Sequence, residues 1–206
     1  MKIDLRDVPV FYINLDRDVE KKKVIESTID KCGFTESYRV PGGLHEKGIV
    51  GCSLGHLSAL FKTNPPFIVL EDDAQIKNFV PVIEVPDNAD AVYLCASRWG
   101  NLPNGRISSP IASKYEKVNE YDNVYRLLNM TATTAILYLS TDYVKHTLNV
   151  LYNNVVIYQD PHDIDLAVSM PNFNVYGLNS PMFYQDSKPL NKDSTFYDIS
   201  EYKYDF

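Results

Sequence analysis

Short, nearly continuous apolar runs alternate along the chain with segments whose apolar residues repeat at helical spacing. The first run, residues 8–15, is apolar almost throughout, as is typical of a strand covered on both faces. In the next segment Ile25, Ile29 and Cys32 recur at helical spacing. Gly33 follows in the usual position beyond a helix end. The chain is therefore predicted to open with a strand and a helix.

The polar positions complete this pattern. The lysines at residues 21–23 are predicted to form a solvated face of the first helix. Ser53 is predicted to cap a second helix that runs to Lys62. Further predicted elements are strands at 36–40, 67–70 and 91–96, an irregular segment at 97–122, antiparallel strands at 124–128 and 133–139, a helix at 141–151 capped by Ser140 or Thr141, a strand at 155–158, a helix capped by Asp163 and a strand at 174–177.

The order of these elements predicts the fold class. Strands that alternate with helices favour an α/β protein with a Rossmann-like, mainly parallel mixed sheet and helices on its faces. The length of 206 residues fits a single domain spanning residues 1–206. We expect a central ligand site at the carboxyl ends of the strands, as in other open α/β sheets.

Composition and charge limit the classes of partner and the compartment that we expect. The net charge of −7 and the pI of about 5.1 argue against strong nucleic-acid binding. The three cysteines include no CxxC pair, so a structural zinc site is not expected, and buried thiols in a reducing compartment are the simpler interpretation. The first residues lack a signal-peptide core, and no apolar run suits a membrane span, so we expect a cytoplasmic protein.

Three consecutive acids, Glu71, Asp72 and Asp73, follow the apolar run at 67–70 directly. If the strand persists that far, Glu71 and Asp73 share a face, with Cα atoms roughly 6.6 Å apart. Two oxygen ligands at such a spacing suit a hard cation, Mn²⁺ or Mg²⁺, and the phosphates it carries. Alternatively, Asp72 or Asp73 merely caps a following turn or helix.

Three segments in order resemble motifs of glycosyltransferase family 25, which includes lipooligosaccharide and collagen galactosyltransferases. Three later segments are similar to weaker family motifs. The closer matches are 10–17 (VFYINLDR, family x-V-I-N-L-D-R), 51–59 (GCSLGHLSA, family G-C-x-x-S-H-x-x-A, with Gly55 in place of Ser) and 67–74 (FIVLEDDA, family x-x-L-E-D-D); the weaker ones are 133–140, 161–165 and 181–186.

The resemblance implies a GT-A-type fold and a function. Residues 1–96 would form the nucleotide-sugar half and residues 97–206 the acceptor side. The implied reaction is metal-dependent transfer of a hexose, galactose or glucose, from a UDP-sugar to a hydroxyl of a glycan, a lipid-linked saccharide or another acceptor. Mn²⁺ or Mg²⁺ would be the cofactor, and retention of configuration is the family's stereochemistry.

Site residues follow from both lines of reasoning. Glu71 and Asp73 are the predicted metal ligands, and the resemblance adds Asp186 or Gln185 as a third. The nucleotide would be contacted by residues at strand exits, namely Asn14, Arg17, Asp72 and Arg98. Arg17 has an alternative interpretation as a surface residue paired with a neighbouring acid.

The acceptor side offers a catalytic base. Asp163 and Asp165 are the candidates, and the family pattern favours Asp165; helix capping by Asp163 is the alternative. His56 lies on an apolar helix face and is interpreted as a satisfied core residue. Two other functions stay open: a nucleotidyltransferase-like enzyme, although the acidic loop at 16–18 is unlike its basic Gly-rich loop, and a non-catalytic binding module.

Overall fold

The computed structural model describes residues 1–97, 99–103, 107–109, 112–131, 133–158 and 163–185, with only the backbone described at Asp163. Arg98, a predicted nucleotide contact, and Asp186, a predicted metal ligand, lie outside these residues. The described helices are α1 (Val19–Cys32), α2 (Gly48–Leu60), α3 (Thr141–Leu151) and α4 (Asp163–Ser169). None of the described helices is both long and apolar enough to cross a membrane.

The strands are short, and most of them fall in one sheet. In chain order they are β1 (Lys2–Asp4), β2 (Val10–Asn14), β3 (Ser37–Pro41), β4 (Phe67–Glu71), β5 (Ala74–Ile76), β6 (Val82–Glu84), β7 (Ala91–Tyr93), β8 (Gly100–Asn101), β9 (Ser108–Ser109), β10 (Tyr115–Lys117), β11 (Val124–Leu127), β12 (Ala135–Tyr138), β13 (Val175–Leu178) and β14 (Phe183–Gln185). Short 3₁₀ turns lie at Leu5–Asp7 and Met170–Asn172, and a π-helical segment lies at Tyr152–Ile157.

Eight strands form the central sheet, in the order β10-β11-β13-β7-β12-β4-β2-β3. The mixed α/β class is confirmed. The sheet is less parallel than predicted: β3-β2-β4 and β13-β7 are parallel, whereas the other four neighbouring pairs are antiparallel. One reason is that β12 runs opposite to both neighbours, β4 and β7. The two predicted halves of the chain thus share one sheet, and their division of labour stays a prediction.

Helices α1 and α2 cover opposite faces of the sheet. Successive side chains of a strand point to opposite faces. Accordingly Val10 and Tyr12 of β2 pack in one apolar cluster with Ile25 of α1. Phe11 and Ile13 pack in a second cluster, which includes Leu57 of α2. The carboxyl ends of β2 and β4 therefore open between the two helices.

Several predicted elements are confirmed at their ends. Gly33 ends α1 in the left-handed conformation, with φ of 73°, where glycine lacks the steric penalty of other residues. Ser140 caps α3, because its side chain accepts a hydrogen bond from the Tyr143 N–H. The strands predicted at 36–40, 67–70 and 174–177 correspond to β3, β4 and β13.

Other predictions are wrong. Residues 155–158 are not a strand, since α3 continues into the π-helical segment, where Val155 is buried but Val156 and Ile157 are exposed. The runs at 124–128 and 133–139 do form strands, β11 and β12, but these pair with other strands and not with each other. Local β-propensity cannot identify the neighbour of a strand.

Helix α2 begins five residues before the predicted cap. Ser53 lies inside the helix, and its hydroxyl donates to the carbonyl of Ile49, one turn back. The turn that starts the helix at Gly48 instead carries Ile49 and Val50, of which Val50 is buried. The predicted irregular segment at 97–122 likewise contains the short strands β8, β9 and β10.

Candidate functional site

The acidic motif lies where β4 turns into β5. Glu71 ends β4, Asp72 and Asp73 form the turn, and Ala74 begins β5. The strand therefore does not persist to Asp73, so the condition under which Glu71 and Asp73 would share a strand face is not met. Both side chains nevertheless lie close enough for their charges to interact.

Asp73 is held by hydrogen-bond donors that carry no charge. The Thr134 hydroxyl donates to Oδ1 over 3.1 Å, and Gln185 Nε2 donates to Oδ2 over 3.0 Å. Gln185 lies beside Asp73 because β14 pairs with β5. Burial, with the nearby Glu71 charge, raises the pKa of Asp73 above its ordinary value, against the opposing effects of Gln185 and Lys21. The ionised form of Asp73 is thus incompletely compensated.

Asp72 has the opposite surroundings. Its carboxylate accepts from Asn14 Nδ2 over 2.8 Å and pairs with Lys21 Nζ over 3.0 Å. Burial lowers the pKa of Lys21, but the Asp72 carboxylate outweighs burial, so the pKa is raised overall. The Lys21 side chain is only 14% exposed, so its prediction as part of a solvated face is wrong. It lies one turn before Ile25 and shares its buried side of α1.

Asn14 links the first strand to this turn. Besides donating to Asp72, its amide donates to the Asp18 carbonyl over 3.1 Å and accepts from Arg39 Nε over 3.2 Å. Arg17, in contrast, is 72% exposed, and its Nε lies 3.9 Å from Asp18 Oδ1. The structure thus places Asn14 at the acidic turn and Arg17 on the surface beside it.

Glu71 points toward α2. Its Oε1 lies 3.0 Å from His56 Nε2 and accepts from Cys52 Sγ over 3.3 Å. His56 is buried and hydrogen-bonded, as its interpretation as a satisfied residue predicts, but its partner is a predicted metal ligand. Burial, reinforced by the Glu71 charge, raises the pKa of the Cys52 thiol well above its ordinary value. The three side chains are close enough for a single ion to contact all of them.

Two glycines let α2 approach its neighbours. A Cβ on Gly51 would lie 2.5 Å from the Gly43 carbonyl oxygen, which is backbone and cannot move aside freely. A Cβ on Gly55 would lie 2.4 Å from Cγ2 of Ile13 in β2. These close approaches set the position of Cys52 and His56.

The predicted acceptor-side acids lie on α4. Asp165 Oδ2 accepts a hydrogen bond from Asn154 Nδ2 in the π-helical segment. Asp163 begins α4, and only its backbone is described. The hydrogen bonds described for Glu71, Asp72 and Asp73 come from α1, α2, β2, β14 and the residue before β12, not from α4. The catalytic role of Asp163 and Asp165 stays a prediction.

Sequence reasoning missed several residues of this site: Lys21, Arg39, Cys52 and Thr134. A signal existed for two of them. Lys21 stands four residues before Ile25, and Cys52 stands four residues before His56, which places each pair on one face of a helix. No such local signal marks Arg39 or Thr134, because strand pairing brings Arg39 to Asn14 and Thr134 to Asp73.

The sequence matches no family model, and no curated protein matches it. Among solved structures, the fold is similar to that of a glycosyltransferase involved in the glycosylation of the major capsid of PBCV-1. The similarity covers 78% of this chain and 73% of that one, with 10% sequence identity and a TM-score of 0.43. So distant a likeness carries no argument about function, and membership of family 25 stays a prediction.

Proposed function

We propose that this protein is a metal-dependent glycosyltransferase that moves a hexose from a UDP-sugar to an acceptor hydroxyl. The observation that carries the proposal is that two adjacent carboxylates at the carboxyl end of β4 have different partners. Asp72 is paired with Lys21, whereas Asp73 is half-buried and has only neutral hydrogen-bond donors among the described residues. Lys21 offsets the Asp73 charge only from a distance, and a carboxylate partly removed from water without a cation in direct contact is costly unless a cation is supplied.

The chemistry of the donor groups fits a hard divalent cation. Glu71 and Asp73 would hold Mn²⁺ or Mg²⁺ through oxygen, the donor these ions prefer. Asp186 is the proposed third ligand on the strength of the sequence resemblance, and it directly follows Gln185, whose amide contacts Asp73. When bound, such an ion would offset the negative charge that develops on a departing diphosphate.

The remaining residues have supporting roles in this proposal. Asn14 and Lys21 fix Asp72 and with it the turn that presents Asp73. Arg17 is free to reach a phosphate or ribose, since an exposed pair as long as 3.9 Å contributes little. Asp165 is the proposed general base that would accept the proton of the acceptor hydroxyl, and Arg98 is proposed as a further nucleotide contact.

A binding assay separates this proposal from its alternatives. Thermal shift is recorded with UDP-galactose, UDP-glucose and unrelated nucleotide sugars, each with and without Mn²⁺, because a ligand raises apparent stability by mass action. The same mixtures are assayed for UDP release, including slow hydrolysis without acceptor. We expect a Mn²⁺-dependent shift and UDP release with at least one UDP-sugar.

Asp73→Asn tests the site itself, with the exposed Asp30→Asn on α1 as the matched control. We expect Asp73→Asn to lose more than the roughly 10–100-fold in metal affinity that loss of an outer-shell partner costs. Asp30→Asn should behave as the wild type. Binding without turnover would instead support a non-catalytic module, and binding to no UDP-sugar in the presence of Mn²⁺ would overturn the proposal.

A further inference from the structure

We propose that Cys52, His56 and Glu71 form a second cation site, one that takes a borderline-soft transition ion of the Zn²⁺ type. Glu71 is also a proposed ligand of the Mn²⁺ or Mg²⁺ ion, so its carboxylate would be shared between the two sites. The Zn²⁺-type site nevertheless stands on its own geometry and holds even if the protein transfers no sugar. It departs from the sequence-based expectation, in which the absence of a CxxC pair argues against a structural zinc site and all three cysteines are buried thiols.

The three donor atoms lie close enough together for one ion to contact all of them. Cys52 and His56 are four residues apart on α2, so both project from one helix face toward the end of β4. Glu71 Oε1 lies 3.0 Å from His56 Nε2 and 3.3 Å from Cys52 Sγ, and all three donor atoms lie within 4.8 Å of one another. Tetrahedral zinc with ordinary bond lengths separates its ligand atoms by about 3.4–3.8 Å.

The donor types distinguish this cluster from the Asp73 side. A thiolate and an imidazole select Zn²⁺ or Co²⁺, whereas Mg²⁺ and Mn²⁺ are better served by oxygen donors. Three protein ligands with one position left open is the arrangement of zinc sites that also bind water or a substrate. On binding, the Cys52 thiol gives up its proton to solvent and its sulfur coordinates the ion.

The surroundings of Cys52 support a role beyond packing. Cys32 and Cys95 are buried in the apolar cluster beneath α1. Cys52 is instead half-buried and hydrogen-bonded to a carboxylate. Its helix is held rigidly, because Gly51 packs directly on the Gly43 carbonyl. A rigid helix meeting a strand end is the kind of scaffold that holds metal ligands with little rearrangement.

Cobalt spectroscopy tests the site without reference to activity. Co²⁺ is titrated into the reduced, purified protein, and the near-ultraviolet thiolate-to-cobalt charge-transfer absorption is followed. We expect saturation at one equivalent and reversal by Zn²⁺. Cys52→Ser should abolish the band and weaken Zn²⁺ binding by about 100-fold or more, whereas Cys32→Ser and Cys95→Ser should keep both.

Further variants keep the outcome decisive. His56→Gln should weaken Co²⁺ binding and shift the visible absorption that reports coordination geometry, which covers the case in which Cys52→Ser does not fold. Asp73→Asn should keep the band, because that side chain belongs to the other site. Absence of the band in the wild type, its persistence in Cys52→Ser or its loss in Asp73→Asn would overturn the proposal. Failure to bind any UDP-sugar would leave it intact and overturn only the transferase function.

Discussion

The two sides of the turn after β4 handle negative charge in different ways. On the α1 side, Lys21 forms an ion pair with Asp72 and Asn14 donates a hydrogen bond to it. The charge of this carboxylate is therefore compensated within the folded protein. On the side of α2 and β14, Glu71 and Asp73 are held by a thiol, an imidazole, a hydroxyl and an amide. Adjacent residues thus carry one charge that a lysine compensates and two charges that are held by other polar side chains.

The largest effect on stability is expected on the compensated side. Lys21→Met should destabilise the fold by about 2–3 kcal/mol, because it leaves the Asp72 carboxylate largely buried without its cation. The matched control is Lys23→Met, on the same helix but 65% exposed, where an effect within about 0.5 kcal/mol is expected. Urea unfolding of both variants measures the difference. Equal values for the two would mean that Asp72 needs no compensation.

A smaller loss is expected from the helix that positions the other side. Gly51→Ala gains about 1 kcal/mol in helix propensity, but the added Cβ meets the Gly43 carbonyl oxygen and overpacking costs about 1–3 kcal/mol. Gly48→Ala makes the same change in the same helix, where nothing lies within 4 Å of the new atom. Thermal unfolding should show Gly51→Ala below the wild type and Gly48→Ala at or slightly above it. The reverse order would mean that the close approach of Gly51 to the Gly43 carbonyl does not prevent a side chain at this position.

Removing the charge of Asp73 should stabilise the protein, unlike the two substitutions above. The raised pKa of Asp73 means that folding disfavours its ionised form, so stability is lost as pH rises above the ordinary value near 4. Asp73→Asn should therefore stabilise the metal-free protein at pH 7 by about 1 kcal/mol while it abolishes metal-dependent binding. The gain should vanish where both states are protonated. A destabilised variant at pH 7 would show that the Asp73 charge is well compensated in the folded protein.

The smallest effect concerns a histidine remote from the acidic turn. Burial lowers the pKa of His146, whose Nε2 lies 2.7 Å from the Ser169 hydroxyl between α3 and α4. Protons then bind the unfolded state first, so this contribution to stability is complete above the ordinary pKa near 6.5 and is lost as pH falls through the folded value. His146→Gln should flatten the pH dependence of stability between pH 6.5 and 5. An unchanged slope would assign that dependence to other groups.

The part of the fold that could be predicted is the part set by local pattern. β2, α1 and β4 follow from apolar periodicity and from Gly33, and the place of the acidic turn directly after β4 predicts a site there. The same reasoning mistook the π-helical segment for a strand, since Val155, Val156 and Ile157 favour strands by propensity but have no sheet neighbour. Pairing of β12 with β4 and β7 depends on contacts distant in sequence.

The residues of the candidate site also differ in whether local sequence predicts them. Helical spacing puts Lys21 on the face of Ile25 and Cys52 on the face of His56, so the local sequence carries a signal for both residues. The partners of Asp73 were not accessible in this way. Thr134 and Gln185 reach it only through the pairing of β12 with β4 and of β14 with β5, and no property of the segment around residue 73 specifies those partners.

The pairing of β14 with β5 has a consequence for protein synthesis. Gln185 follows Asp73 by 112 residues, yet it supplies one of the hydrogen bonds that hold this carboxylate. At ordinary translation rates a ribosome needs roughly 6–22 s to make that stretch. A nascent chain therefore carries its acidic turn for several seconds before the strand that supplies Gln185 exists, so this carboxylate acquires its full set of hydrogen-bond partners only after β14 has been made.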